Sequence, residues 1–333
     1  MGVRRVVLVT LAVFLLFGVS TASAHVPKTA SGNESLESAM IIEDPIKSWA
    51  IYSELKGGDV ANYYEMEMES GERLYLSLLT PKNEDFVPNL AVIGPGIDGN
   101  DTTPDFVQIP DDVGIKVIEG DLGERKYEPF TPGSYYHPAT FDQNIEESGT
   151  YHAVVYSEEE AGGNYGLAVG YEERWSLVEW ILLPLDVINI RIWEGQSLLL
   201  ILAPMIAVLT LGFTWTGWKY RSQGKRPGNV REWFLLTSGL LYIGSGAMML
   251  MQIVIALSGS NPSLTVTVTL IFALIPVILG YKLFEESSDF KKPEVRDRIR
   301  VFVFGILGLT VWAGFILGPV LAMIPGLLLS KEG

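Results

Sequence analysis

Three histidines are the scarcest reactive side chains here: His25, His137 and His152. The residues before His25 read as a secretory signal. Arg4 and Arg5 form a charged start, Val6 to Val19 an apolar stretch, and Ala22-Ser23-Ala24 a small-residue cleavage site. The other reading is an uncleaved anchor helix. Cleavage after Ala24 makes His25 the mature N-terminal residue. Such a histidine offers one metal ion both its amine and its imidazole. His137 or His152 can add a second imidazole, a donor set suited to copper. The plainer alternative is a residue that merely follows the signal, a loop histidine and a strand-face histidine, since no spacing brings the three together. Oxygen ligands cluster in Asp98-Gly99-Asn100-Asp101, with Asp105, Asp111 and Asp112 following. Asp98 and Asp101 are candidate ligands for a hard cation such as calcium. The turn glycine of a helix–loop–helix calcium site is missing, and an ordinary acidic turn explains the run as well. Met205, Met248, Met249, Met251 and Met323 offer soft sulfur for copper, or simple packing in apolar helices.

Other chemistry is excluded or left without a signature. The chain has no cysteine, which removes disulfides, thiol nucleophiles and cysteine-held metal centres. It has no phosphate-cradling glycine loop, no G-x-S-x-G elbow and no H-E-x-x-H pair. Carboxylates are abundant, yet nothing singles out a catalytic pair. No catalytic residue is assigned and no cofactor is expected, copper and calcium being the candidates if one binds.

These residues must be positioned by two unlike halves. Residues 25–174 carry 29 Asp and Glu against 9 Lys and Arg, a net −20; the remainder carries 15 Lys and Arg against 10 Asp and Glu, a net +5, giving the −15 of the whole chain. A domain so acidic repels phosphate backbones, so nucleic acid is not an expected partner. Beyond it lie four apolar runs, 197–218, 232–257, 264–284 and 301–328. Each is long enough to cross a bilayer as a helix, which takes about 20 residues. Lys219, Arg221, Lys225, Arg226 and Arg231 lie between the first two runs. Lys291, Lys292, Arg296, Arg298 and Arg300 lie between the last two. Basic loops stay on the cytoplasmic side. The expected topology is therefore a multi-pass protein of the cell membrane, with residues 25–174 and the C-terminal Lys331-Glu332-Gly333 outside. Apart from Glu232 and Lys282 near their ends, the runs hold no Asp, Glu, Lys, Arg or His, which disfavours proton relays and charge-coupled transport. Gln252, Thr265, Thr267 and Thr269 fit helix–helix hydrogen bonding, and Gly314 with Gly318 permits close helix approach. Residues 175–196 are apolar but broken by Glu179, Asp186, Arg191 and Glu194. They read as an amphipathic segment on the outer leaflet, or as a core helix packed under the outer domain.

The outer domain reads as short strands. Tyr64, Met66 and Met68 alternate with Glu65, Glu67 and Glu69, the pattern of a strand with one buried face. Arg73–Leu79, Asn89–Ile93, Gly114–Ile118, Tyr151–Tyr156 and Tyr165–Tyr171 follow between turn residues. The expected fold is an all-β antiparallel sandwich, jelly-roll-like. Gly58-Asp59-Val60-Ala61-Asn62-Tyr63-Tyr64-Glu65-Met66-Glu67 with Ser70-Gly71-Glu72-Arg73-Leu74 resembles the opening of the pre-peptidase C-terminal-type domain. Gly149-Thr150-Tyr151-His152-Ala153-Val154-Val155 and Gly163-Asn164-Tyr165-Gly166-Leu167-Ala168-Val169 resemble its closing strands. The resemblance covers about residues 50–171. It implies a small extracellular sandwich with a binding or folding role. Asn62 stands where the family often has an acid, residues 119–147 read as an insertion, and the membrane runs are not part of the resemblance.

Within that insertion, residues 125–138 are rich in aromatics and prolines. Tyr127, Phe130, Tyr135, Tyr136 and His137 form the candidate partner-binding surface, the alternative being a loop packed back on the sandwich or on residues 175–194. Asn33 and Asn100 stand in N-x-S/T sequons and are candidate glycosylation sites. The functional expectation is a non-enzymatic, membrane-anchored protein. Its sandwich would recognise a protein partner, an envelope component or a small ligand, and its helices would sit in the lipid bilayer. The alternatives are copper handling or copper oxidation through His25, and an accessory subunit of a transporter or channel.

Overall fold

The computed structural model describes residues 25–81, 85–99, 101–224, 229–262, 264–287 and 294–327. The expected signal segment, residues 1–24, and the sequon asparagine Asn100 lie outside them. Twelve strands form first: β1 (Val26–Thr29), β2 (Met40–Ile42), β3 (Trp49–Leu55), β4 (Ala61–Met68), β5 (Arg73–Leu79), β6 (Asn89–Gly94), β7 (Gly114–Ile118), β8 (Lys126–Glu128), β9 (Gly133–Tyr135), β10 (Thr140–Asn144), β11 (Gly149–Tyr156) and β12 (Gly163–Val169). Sheet one has the order β1-β3-β12-β5-β10 and sheet two the order β2-β4-β11-β6-β7, while β8 and β9 make a separate hairpin.

The alternation read in the sequence sets the core. Tyr64, Met66 and Met68 point inward with Leu90, Val92, Tyr151, Ala153 and Val155 of sheet two. They meet Ile51, Leu55, Leu74, Leu76, Leu78, Tyr165, Leu167 and Val169 of sheet one. Each such apolar side chain contributes about 1.5–3 kcal/mol by leaving water. Two of the buried phenols satisfy each other: Tyr64 and Tyr165 share a hydrogen bond of 2.6 Å, and Asn62 Nδ2 donates to the Tyr165 hydroxyl at 2.8 Å. Asn62 is thus a core polar residue, not a turn ligand. One expectation is corrected. The sandwich is not wholly antiparallel, because β1 pairs parallel with β3 and β2 parallel with β4. The N-terminal chain crosses from one sheet to the other between these strands, and that long connection is what parallel pairing requires.

Six helices follow: α1 (Leu177–Trp193), α2 (Leu198–Ser222), α3 (Val230–Leu257), α4 (Thr265–Ser287), α5 (Val295–Thr310) and α6 (Leu317–Leu327). Three of them, α2, α3 and α4, are long and apolar enough to cross a membrane. Between α3 and α4 the backbones approach closely, since a Cβ on Gly280 would lie 2.5 Å from the Gly239 carbonyl. The fourth expected span, 301–328, is not one helix. It breaks after Thr310 and turns through Trp312, Gly314 and Phe315, all with φ between 51° and 67°. Gly314 and Gly318 press against Tyr242, where a Cβ would sit 3.0 Å or less from neighbouring atoms, and Ser245 Oγ accepts from Gly314 N at 2.8 Å. The chain then returns alongside itself, with Gly305 against Met323 and Gly326 against Phe302 and Arg298. The last described residues therefore lie beside Arg298, at the end of the bundle remote from the sandwich. Lys331–Gly333, expected on the same side as residues 25–174, lie outside the described residues.

Candidate functional site

Helix α1 starts from a reciprocal cap. Ser176 Oγ accepts from Glu179 N, and Glu179 Oε2 accepts from Ser176 N. Glu179 also holds Lys47 of the sandwich at 2.7 Å. At the other end Trp193 Nε1 donates to Ser53 O at 2.9 Å, Asn164 Nδ2 donates to Trp193 O at 2.5 Å, and the Trp193 ring meets Tyr52 edge-on at 4.8 Å. One face of α1, with Leu183 and Ile190 buried, lies under sheet one; Leu177, Val178, Leu182 and Leu185 remain exposed. The helix is thus packed on one face and exposed and apolar on another.

Strand alternation presents Ala50, Tyr52, Tyr75, Ser77, Gly166 and Ala168 on the outer face of sheet one, opposite the core residues between them. The small residues leave room. The β8–β9 hairpin and α1 close over that room, enclosing a cavity of about 70 Å³ walled by His25, Tyr52, Tyr75, Glu128, Tyr135 and His137. At ~30 Å³ per molecule this holds about two waters, or an ion with its ligands. Burial pushes the His25 imidazole down to about 4, helped by the nearby His137. Burial likewise lowers His137, with Lys126 adding to the effect. Glu128 is pushed up to about 7 by burial, against the bond its carboxylate accepts from Phe130 N at 3.1 Å. Tyr135 is raised well above the ordinary phenol range, again chiefly by burial. At neutral pH the cavity thus holds two neutral imidazoles, protonated phenols and a carboxyl near its midpoint. Such a set can hold or pass a proton.

The structure divides the expected metal residues. His25 and His137 share the cavity, with Ser48 Oγ 2.6 Å from His25 Nδ1. His152 is on the outer face of sheet two, 3.5 Å from Glu65, and cannot join them. Asp101 accepts from Val117 N at 2.9 Å and faces Lys116 at 3.6 Å, which makes it a turn-stabilising carboxylate. Among the described residues no three of His, Asp and Glu form a ligand set, Asp98 included. The methionines also separate: Met248 and Met249 line one cavity, Met205 packs over Gly244 and Met323 over Gly305. Asn33 is corrected as a glycan site. It is 3 % exposed and its Nδ2 donates to Tyr63 O, so that nitrogen has no space for a sugar.

The aromatic loop is turned inward. Tyr135 and Tyr136 are buried and Tyr127, Phe130 and His137 half-buried. Phe130 lies 5.8 Å from Trp175 and 5.9 Å from Trp312, and Thr269 Oγ1 of α4 donates to Pro129 O at 2.9 Å. The turn between β8 and β9 thus packs on the chain's own helices and the residues that flank them. Residues to which the sequence assigned no joint role complete the contact, Gln196 among them. Tyr135 OH donates to Glu194, Arg191 Nη1 donates to both Glu194 oxygens at 2.7 and 2.9 Å, and Gln196 Nε2 donates to Glu194 Oε2 at 3.0 Å. Gln196 and Gln252 then exchange two amide hydrogen bonds at 2.9 and 2.8 Å. The charged breaks in an otherwise apolar segment were the one available signal for Arg191 and Glu194.

The chain matches no protein-family model and no curated protein. Among solved structures it is similar to a periplasmic inhibitor of g-type lysozyme from Aeromonas hydrophila, PliG, at 15 % identity and a TM-score of 0.26, over 45 % of this chain and 100 % of that one. It is also similar to the pre-peptidase C-terminal domain of a collagenase from Bacillus anthracis, at 20 % identity and a TM-score of 0.24, over 39 % of this chain and 93 % of that one.

Proposed function

We propose that this is a non-enzymatic, membrane-anchored binding or assembly protein whose sandwich lies outside the cell and moves as one body with its helices. The observation that carries this reading is the polar chain Tyr135–Glu194–Arg191 with Gln196–Gln252. A simple tether does not need a buried ion pair to hold its outer domain at one angle; a protein that transmits or templates a binding event does. The net −20 of residues 25–174 favours a basic or cation-bearing partner. The edge strand β2, with Ile41 64 % exposed, is an accessible place to probe for it. Photo-cross-linkers at Ile41 and Glu159 in the native membrane should trap one discrete partner, with a yield that falls as salt rises. No adduct at either position would overturn the reading. So would substrate turnover by the purified protein that Glu128→Gln abolishes.

A second reading, copper binding, is favoured by one observation: His25 and His137 border the same cavity as neutral imidazoles. The third donor would be the amine of His25 after cleavage behind Ala24. Ser48 would have to release His25 Nδ1, the nitrogen that closes a chelate ring with that amine. Copper analysis of correctly processed protein decides it. One copper per chain, lost in both His25→Ala and His137→Ala, supports the reading, and retention in either variant sinks it.

A further inference from the structure

A second cavity, of about 140 Å³, lies on the bundle side of Phe130, Thr131 and Leu183, between α1, α3, α4 and the turn after α5. Val187, Ile188, Met248, Met249 and Phe315 make its wall almost wholly apolar, and Arg191 interrupts it. Arg191 is 2 % exposed. Its Nη1 serves Glu194, but Nε and Nη2 have no hydrogen-bond partner. Glu194 cannot serve them, because its oxygens are already taken by Tyr135, Gln196 and Arg191 Nη1. Gln252 cannot either, since it is paired with Gln196. A buried guanidinium edge without an acceptor is costly, and in a native fold it marks a place that something else completes.

The geometry of that edge names the acceptor. Nε and Nη2 of one guanidinium present two parallel N–H bonds, which fit a two-oxygen anion. Arg73 of this protein uses the same two nitrogens to hold Asp142, at 2.6 and 2.8 Å. We propose that this cavity binds a membrane amphiphile, with its anionic two-oxygen head on the free edge of Arg191 and the first part of its apolar chain among Val187, Met248 and Met249. A cavity of ~150 Å³ holds benzene, so this one takes about six carbons of a chain. The remainder of the chain lies in the bilayer, along the exposed apolar flank of α1 at Leu182 and Leu185. A fatty carboxylate and a lipid phosphodiester share this head chemistry. The site goes beyond the partner and copper readings and stands or falls independently of them.

The test uses the full chain in nanodiscs of uncharged lipid. A fluorescent polyene fatty acid is the probe, displaced in turn by palmitate, methyl palmitate and a phosphatidylglycerol. Palmitate should compete at least about tenfold better than its ester, the usual scale of a charge-assisted pair. Arg191→Lys keeps the charge beside Glu194 but loses the parallel edge, and should remove that preference by bringing acid binding down to the level of the ester. Val187→Phe fills the cavity without touching a charge, and should weaken acid and ester alike with the melting temperature kept. Competition by palmitate alone assigns a carboxylate head, and competition by phosphatidylglycerol alone assigns a phosphate head. Equal binding of acid and ester with no competition by phosphatidylglycerol, an unchanged preference in Arg191→Lys, or no displaceable probe on folded wild-type protein would overturn the proposal.

Discussion

The two outer faces of the sandwich are both covered, and by opposite means. On sheet two the cover is local. The segments around Leu36 and Ala39 and from Phe106 to Val113 fold back over Ala61, Tyr63, Ala91, Ile93, Val154 and Tyr156. Asn33 and Gln108 fasten them to Tyr63, through its carbonyl and its hydroxyl. The seal is apolar and leaves His152 at its margin with Glu65. On sheet one the cover is distant in sequence. It is α1 and the β8–β9 hairpin, both of which also touch the bundle, and it encloses His25, Glu128 and His137. A face sealed by neighbouring loops serves the domain's own stability. A face sealed by the next domain becomes a joint, and its imperfect fit is where titratable groups are kept out of water.

The sharpest break in this contrast is Glu194→Ala. It strands Arg191 in a buried setting and should cost about 3–5 kcal/mol in denaturant unfolding. It should also free the sandwich relative to the bundle, as read by the distance between spin labels at Ile41 and Val254. A loss below ~1 kcal/mol with unchanged distances would remove the joint from the account. On the sealed face, Ile93→Ala should cost about 2–4 kcal/mol through its cavity, with those distances unaltered. Equal loosening of the joint by both variants would erase the distinction between the faces.

Titration gives a finer comparison. Glu128 binds its proton more tightly folded than unfolded. Its contribution is complete below about pH 4.5 and is lost as pH rises through about 7. His25 is the reverse: its contribution is complete above about pH 6.5 and is lost as pH falls through about 4. Between about pH 4.5 and 6.5 the two slopes oppose each other, at ~1.4 kcal/mol per pH unit each, and stability should be nearly flat. Glu128→Gln keeps the shape of the site and exposes the His25 slope, so the variant should gain on the order of 3 kcal/mol as pH rises across this window. Superimposable pH profiles for wild type and variant would show that Glu128 carries no shift. The smallest effect belongs to Arg73→Ala on the exposed part of sheet one. Its pair with Asp142 is open to solvent, so the change should cost under ~1 kcal/mol and vanish in high salt.

Much of the sandwich was readable in advance because its signals are local. Tyr64, Met66 and Met68 alternate with acids in the order their strand requires, and Gly114–Ile118 has the bounds expected of it. The candidate site was only half readable. His25 and His137 stood out by scarcity, but nothing in their spacing placed them together; the hairpin closing on sheet one does that. Nothing in the sequence set Glu128 apart from the other acids of the domain. Its burial depends on Phe130 reaching Trp312, a residue 182 positions away in the chain. The aromatic loop was noticed for the right property, contact area, and the contact proved to be internal. The fourth apolar run misled for a related reason: hydropathy records length and greasiness, while the break at Trp312 comes from Gly314 and Gly318 docking on Tyr242 and from the Trp312 indole donating to Trp180 O at 2.7 Å.

Composition and periodicity alone determined that an acidic, cysteine-free strand-rich domain precedes helices long enough for a membrane, because alternation, run length and charge are properties of neighbouring residues. Only the tertiary structure decided which outer face would be a joint, that Arg191 would be buried with an unpartnered edge, and that the last apolar run would double back. Those outcomes depend on desolvation and close packing between segments far apart in the chain, and no short window of sequence contains them.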